Sequence, residues 1–198
     1  MCKIITIVNR KGGCGKTTTT KNLGYELAKL GYRVLLVDYD PQCNTTKGLS
    51  KREYKTTIID LIRGKNVHKC IYATRHDMDI IAGNKFLASE DINDQIIVDQ
   101  MNKVCNEYDF IINDTSPYFN KLTAEILFVT DLAIIPTTIE PDSLDGMSTT
   151  INEIEELCDY NINYKILLTQ VNDLKSTEQD VKDLDENLEE LILKTKIR

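Results

Sequence analysis

The sequence predicts an α/β fold, a doubly wound, mostly parallel sheet with helices on both faces. Two observations predict it. Apolar, β-rich runs alternate along the chain with amphipathic helical stretches, the pattern of βαβ units in a parallel sheet. The first such run passes straight into a glycine-rich loop and then into a helical pattern, the order that phosphate binding requires. With 198 residues, 41% of them hydrophobic, the chain suits one domain with a sizeable core, spanning 1–198.

The first strand is "KIITIV", residues 3–8. A helix follows over 17–29, where Leu23, Leu27, Ala28 and Leu30 recur at helical spacing and Gly31 is a stop signal. "RVLLVDYD", residues 33–40, is a second strand, apolar enough to be covered on both faces and ending in two acids before Pro41. Further strands fall on "MDIIAG", "DFIIND", "LAIIPTTI" and "YKILLTQV". Helices are expected over 92–106, 142–158 and 177–194, the last with Val181, Leu184, Leu188 and Leu191 on one stripe.

The loop "NRKGGCGKTTTT", residues 9–20, fails the usual G-x-x-x-x-G-K-[ST] pattern because Arg10 stands where the first glycine belongs. The groups that hold phosphate are nevertheless present. Gly12, Gly13 and Gly15 allow the positive φ and close approach by which consecutive N–H groups, including those of Cys14 and Thr18, converge on an anion. Lys16 can reach between terminal phosphates, the Thr17 hydroxyl is placed to ligate Mg²⁺, and the helix behind them presents its positive end. A glycine-rich turn that is merely a tight connection is the simpler alternative, but strand, three glycines, G-K-T and helix coincide here.

Magnesium chemistry on a triphosphate also needs a carboxylate at the end of a buried strand, and Asp114 follows Phe110-Ile111-Ile112 at such an end. It is the candidate for holding Mg²⁺ through a water. Asp38 and Asp40 close the second strand and point to the same side; Asp40, further out, can position an attacking water, with Asp38 nearer Lys16 and the metal as a more distant support. An aspartate that merely forms the turn before Pro41 explains them equally well.

Composition limits the alternatives. The net charge of −7 is an average field unfavourable to nucleic acid, so any DNA contact must use a local basic patch. Six cysteines without a C-x-x-C pair suggest reduced, structural thiols rather than a zinc site. No run approaches the roughly 18 apolar residues of a membrane span, so a cytoplasmic protein without a membrane partner is expected. The stripe at 181–191 is flanked by acids that anionic lipid repels, and reads as core packing.

"KGGCGKTT", "VLLVDYDPQCNTT" and "FIINDTSP" together resemble the deviant Walker ATPases, specifically the ParA group of DNA-partitioning proteins with its P-loop NTPase fold. The likeness continues through "TTIIDLIRGK", "MDIIAGNKFLASED" and "LAIIPTTIEPDSLDGM", and so covers almost the whole chain. It implies an ATP- and Mg²⁺-dependent ATPase that forms a nucleotide-sandwich homodimer, binds DNA nonspecifically and responds to a ParB-like centromere-binding partner. It implies that Lys11 is the signature lysine reaching the partner subunit's ATP, which agrees with charge stabilisation in trans. By the same resemblance Lys16 and Thr17 serve nucleotide and metal, Asp40 positions water, Asp114 is the Walker B acid, and Asn22 lies near the attacking water. Pro141, Gln170 and Asn172 are candidates for the base site, although a helix-starting proline and an Asn-Asp turn explain two of them as well.

Departures from the family pattern are specific. Cys43 replaces a glycine, which demands strain if that backbone has positive φ; Asn113 replaces an apolar residue before the Walker B acid, and Ser116 a proline. "LEELILKTKIR" resembles the start of a final strand after which relatives continue, so a shortened or unusually short member is expected. The family's late basic residues are represented only by Lys194, Lys196 and Arg198. Two alternatives share the loop: a ParA-like ATPase positioning a non-DNA cargo, and an iron-sulfur carrier like the nitrogenase iron protein, for which Cys105 lies outside the expected setting.

Overall fold

The computed structural model describes residues 2–157, 162–171, 188 and 190–197. The elements run β1 (Lys3–Ile7), α1 (Lys16–Lys29), β2 (Val34–Tyr39), α2 (Asn44–Leu49), α3 (Ile58–Ile62), β3 (Ile71–Ala73), β4 (Asp79–Ile81), α4 (Ile96–Asn102), β5 (Phe110–Thr115), α5 (Lys121–Phe128), β6 (Leu132–Thr137), α6 (Pro141–Glu156) and β7 (Asn163–Leu168). The sheet order is β3-β4-β2-β5-β1-β6-β7, with every neighbouring pair parallel except β3 and β4. The predicted doubly wound fold is therefore observed.

Alternation along the strands divides the core into two faces. Leu35, Val37 and Tyr39 of β2 pack with Ile58, Ile62, Ile97, Met101 and Ile126, residues of α3, α4 and α5. Val34 and Leu36 point the other way, into a cluster with Ala28 of α1 and Leu49 of α2. On the β6–β7 side, Ala133, Ile135, Ile166 and Leu168 pack with Met147, Ile151 and Ile154 of α6. The whole of β2 is buried, as its unbroken apolar run requires.

Helix α1 lies close to the sheet because Gly24 faces it. A Cβ at that position would meet Leu36 Cδ2 at 2.8 Å and Met78 Sδ at 3.0 Å. The approach matters for function, since α1 is the helix that begins at the glycine loop.

The expected strands all appear with displaced ends: β1 and β6 stop early, β2 and β4 are trimmed at both ends, β5 is shifted by one residue, and β7 starts one residue earlier and stops three short. The expected helix at 92–106 is only α4, Ile96–Asn102, because Gln95 takes φ 63° before it and a turn follows Lys103. The short helices α2, α3 and α5 and the antiparallel edge strand β3 were not anticipated, since three to eight residues are too few for a periodic signal. Of the expected helix over 177–194, residues 177–187 and 189 lie outside the described residues; Leu188 is helical, but 190–194 form a turn and an extended stretch instead, because Ile192 pairs with β7. The final segment does behave as a strand in part: Ile192 bridges Ile166 in parallel, and Ile197 N donates to Leu168 O at 2.9 Å.

Leu36 is fully buried between α1 and the sheet. Leu36→Ala is expected to lower the unfolding free energy by about 3 kcal/mol, measured by urea denaturation of the nucleotide-free protein.

Candidate nucleotide site

The loop between β1 and α1 has the conformation its glycines allow. Gly13 and Gly15 take φ of 79° and 99°, and Gly15 is the N-cap of α1. The buried Cys14 fastens the loop from within: its Sγ donates to Lys11 O at 3.2 Å, and its carbonyl accepts from Thr169 Oγ1 at 2.8 Å. Lys16 Nζ donates to the carbonyls of Asn9 and Lys11 at 2.8 and 2.9 Å. Burial lowers its pKa, against the raising influence of Cys14, Asp114 and Asp40.

Arg10, the residue that breaks the usual pattern, ties the loop to α6. Its backbone N donates to Thr150 Oγ1 at 3.1 Å, and its guanidinium pairs with Glu153. Lys11 follows, its N donating to Asn9 Oδ1 at 2.8 Å and its ammonium reaching out to the exposed Asp142 at 3.2 Å. Gly146 of α6 faces this turn so closely that a Cβ would stand 3.0 Å from Lys11 Cβ.

Register brings the acids together. β5 lies between β1 and β2, so Asp114 is opposite both Ile7 and Asp38. Asp114 is fully buried, and one of its oxygens, Oδ2, accepts from Thr17 Oγ1 at 2.8 Å and Thr45 Oγ1 at 2.7 Å. Its Oδ1 has no hydrogen-bond partner. Burial raises its pKa, opposed by the two threonines. An orphaned carboxylate oxygen beside a threonine hydroxyl is a hard-oxygen set that suits Mg²⁺, with Asp114 and Thr17 as its holders.

Asp40 lies at the mouth. Its Oδ1 accepts from Gln42 N at 2.8 Å, which leaves Oδ2 for another donor. Asp38 lies deeper: Oδ2 accepts from Thr46 N at 2.8 Å and Thr46 Oγ1 at 2.6 Å, and Oδ1 from Asp40 N at 3.2 Å. Gly83 is required beside it, since a Cβ there would be 2.8 Å from Asp38 Cγ. Burial pushes the Asp38 carboxyl up to about 7, helped by the charge of Asp114 and opposed by the bonds from Thr46 and Asp40.

An open cavity of about 390 Å³ lies over these groups. Of the sequence-predicted residues, Gly12, Gly13, Gly15, Lys16, Thr17, Thr18, Asp40 and Gln170 line it. Gln170 takes φ 56° and donates from Nε2 to Gly13 O at 3.2 Å. Lys11, Cys14, Asn22, Asp38, Asp114 and Pro141 are not on its wall. Cys14, Asp38 and Asp114 lie beneath it, Asn22 donates to Thr18 O at 2.8 Å on the exposed side of α1, and Pro141 is the exposed first residue of α6. Asn172 lies outside the described residues. Sequence reasoning missed Gln42, Asn44 and Pro117, which also line the cavity, and Thr45, which holds Asp114. Their signal was position, since all follow the carboxyl ends of β2 and β5.

The departures are accommodated locally. Cys43 does take positive φ, 54°, and caps α2 while its N donates to Asp40 O at 2.8 Å. The strain expected of a non-glycine residue there is thus present, at a cost of about 1 kcal/mol. Asn113 is buried and donates to Thr6 Oγ1 at 3.0 Å. Cys105 precedes β5 and packs beside the same cluster as Cys2, at the end of the sheet opposite the glycine loop.

The raised pKa of Asp38 fixes the sign of a stability effect. Below about pH 4 this carboxyl is protonated in both the folded and the unfolded chain. Between there and about 7 only the folded protein holds the proton, so stability falls as pH rises, then levels off. Asn mimics the protonated acid and removes this loss. The stability difference between Asp38→Asn and the natural protein is expected to move in the variant's favour by a few kcal/mol from pH 5 to 8, read by urea denaturation without nucleotide.

Comparison with known proteins gives the geometry a family. A family model described as an AAA domain matches residues 2–168. The chain is 38% identical over 165 residues to the sporulation initiation inhibitor protein Soj of Bacillus subtilis, covering 78% of this chain and 65% of Soj. It is 30% identical over 171 residues to the chromosome partitioning protein ParA of Caulobacter vibrioides, covering 78% of this chain and 63% of that protein. The chain thus spans a little under two-thirds of the length of these relatives. A putative plasmid partition protein from Borrelia burgdorferi, solved bound to AMPPNP, superposes with a TM-score of 0.84. That match covers 98% of this chain and 84% of the other, and at 22% identity it shows a shared fold. Among the described residues no helix is long and apolar enough to cross a membrane. With a glycine loop, a buried strand-end carboxylate and this match over residues 2–168, the chain belongs to the AAA-domain family, among its ParA-type P-loop members.

Proposed function

We propose that this protein is an ATP-dependent, dimerising ATPase that partitions plasmid or chromosomal DNA in the cytoplasm, hydrolysing ATP to ADP and phosphate when a ParB-like, centromere-bound partner stimulates it. The observation that carries the reading is the division between two lysines. Lys16 lines the cavity over its own loop, whereas Lys11 does not line it and has a side chain 36% exposed. A cation held outside its own site suits a nucleotide on a second subunit, where it acts in trans as an arginine finger does. The names of the Caulobacter and Borrelia proteins support the reading for partition.

The chain's own groups divide the work. The N–H groups of residues 12–18 hold the phosphates, and Lys16 exchanges the two loop carbonyls for phosphate oxygens. Asp40, with Oδ2 free, orients the attacking water in line with the γ-phosphate. Thr17 and Asp114 would hold Mg²⁺, whose chemistry is to neutralise charge on the β- and γ-phosphate oxygens. Lys11 of each subunit stabilises the charge developing at the other's nucleotide, so hydrolysis requires pairing.

The net charge of −7 favours one rival, in which the same switch positions a non-DNA cargo. Gel shifts with ATP, ADP or no nucleotide separate the two. Binding of DNA only with ATP, retained in Asp40→Ala, is the expected result; no binding in any state supports the rival. In phosphate-release assays, Lys11→Ala and Asp40→Ala are each expected to lower stimulated ATP hydrolysis by at least about 10²-fold while still binding ATP. Normal turnover by Lys11→Ala with DNA and partner present refutes the trans role.

A further inference from the structure

Charge is spread unevenly along this chain. Residues 47–76 hold eight lysines and arginines against two acids, Glu53 and Asp60, in a protein whose net charge is −7. The fold brings the ends of this segment together at one margin of the sheet, where the end of α2, the loop after it, the edge strand β3 and the turn after β3 meet. They enclose an open cavity of about 470 Å³, larger than the one over the glycine loop, with Lys47, Lys51, Arg52 and Arg75 on its wall.

These four cations form no ion pair among the described residues. Elsewhere in the segment Arg63 pairs with Glu90 and Lys65 with Asp60. By contrast Lys47 Nζ donates to Gln42 O at 2.7 Å, Arg52 Nη2 to Ala73 O at 3.2 Å, and Arg75 Nε to His76 Nε2 at 3.2 Å. Among the described residues none of the four has a carboxylate partner. Arg52 is held in place by the rings of Tyr54 and Tyr72, 4.7 and 4.9 Å from its guanidinium carbon. Such stacking orders the side chain in advance and leaves further N–H groups for an anion.

We propose that this cavity is a phosphodiester-binding site that seats the backbone of duplex DNA without reading its sequence. The proposal rests on the reading of this protein as one that associates with DNA, and gives that association a surface. Ser50 and Thr74 add hydroxyls beside the cations. Lysine, arginine and small hydroxyl residues are the groups that contact phosphates, whereas an acidic peptide would also need aromatic or aliphatic anchor pockets. The apolar part of this wall is only Ala73 and the buried Leu49. Exposed Lys55 and Lys69, in the loop before α3 and just before β3, carry the positive surface beyond the cavity.

The site is also joined to the nucleotide cavity. Gln42 and Asn44 line that cavity, and three residues further along α2 Lys47 lines the basic one, bonded back to Gln42 O. A nucleotide that moves Gln42 and Asn44 therefore moves Lys47, and the coupling is reciprocal.

The test is fluorescence anisotropy of a short, labelled, random-sequence duplex with the full chain and a non-hydrolysable ATP analogue over a range of salt. Lys51→Gln with Arg75→Gln is compared with Lys29→Gln with Lys103→Gln, an equal charge change at exposed positions elsewhere. The first pair is expected to weaken binding on the order of tenfold and to make the log–log salt slope shallower by about two, with analogue affinity unchanged. The second pair is expected to bind as the natural protein does. Equal behaviour of the first pair and the natural protein overturns this site but leaves the DNA reading standing. Equal losses in both pairs also overturn it, by reducing the effect to net charge. Natural protein that binds no duplex with any nucleotide overturns both. Labelled polyglutamate that binds more tightly than duplex, and is lost in the first pair, reassigns the cavity to an acidic protein segment.

Discussion

The Asp114 carboxylate is the constraint around which this molecule is built. It is buried completely at the end of a central strand, with two threonine hydroxyls on one oxygen and nothing on the other. An unmet carboxylate oxygen inside a protein is costly, and the strands flanking it must hold fixed positions to keep both hydroxyls within reach of the other oxygen. The two threonines come from different segments, Thr17 from the start of α1 and Thr45 from α2. One acid thereby joins the glycine loop, the central strand and the segment after β2. Asp38, opposite it in the register, repeats the arrangement with Thr46, so adjacent residues of α2 serve the two buried acids separately.

Much of this was legible in the sequence. The β1 loop could be read because glycine, lysine and threonine each have a physical task there, and a strand and helix frame them. Cys43 was legible too: a non-glycine residue at a position wanting positive φ predicts strain, and its φ is 54°. What stayed hidden was of two kinds. Short elements such as α2 and β3 have too few residues for a period, and tertiary packing decides them. Charge was hidden by averaging, since a total of −7 conceals the cationic run at 47–76.

The acids show where sequence spacing misleads. Two aspartates separated by one residue on a strand point to the same side, with Asp40 expected at the attacking water and Asp38 nearer Lys16 and the metal. Only Asp40 lines the cavity, because Thr46 and the Asp40 N–H claim both oxygens of Asp38. Alternation gives the side of the sheet. Hydrogen-bond partners decide which of two like residues faces the cavity and which supports the backbone beneath it.

The fastening of Arg10 to α6 has a consequence for the residue after it. With Arg10 N bonded to Thr150, Lys11 N bonded to Asn9 and Gly146 pressed against its Cβ, the main chain at Lys11 has a fixed footing. Whatever Lys11 serves, the loop need not refold to serve it. Only the side-chain torsions must be ordered and one exposed ion pair with Asp142 given up, costs of about 2 kcal/mol and under about 1 kcal/mol. Replacing a loop glycine by arginine has made a hinge into an anchorage, so that a long, flexible arm swings from a base that does not move.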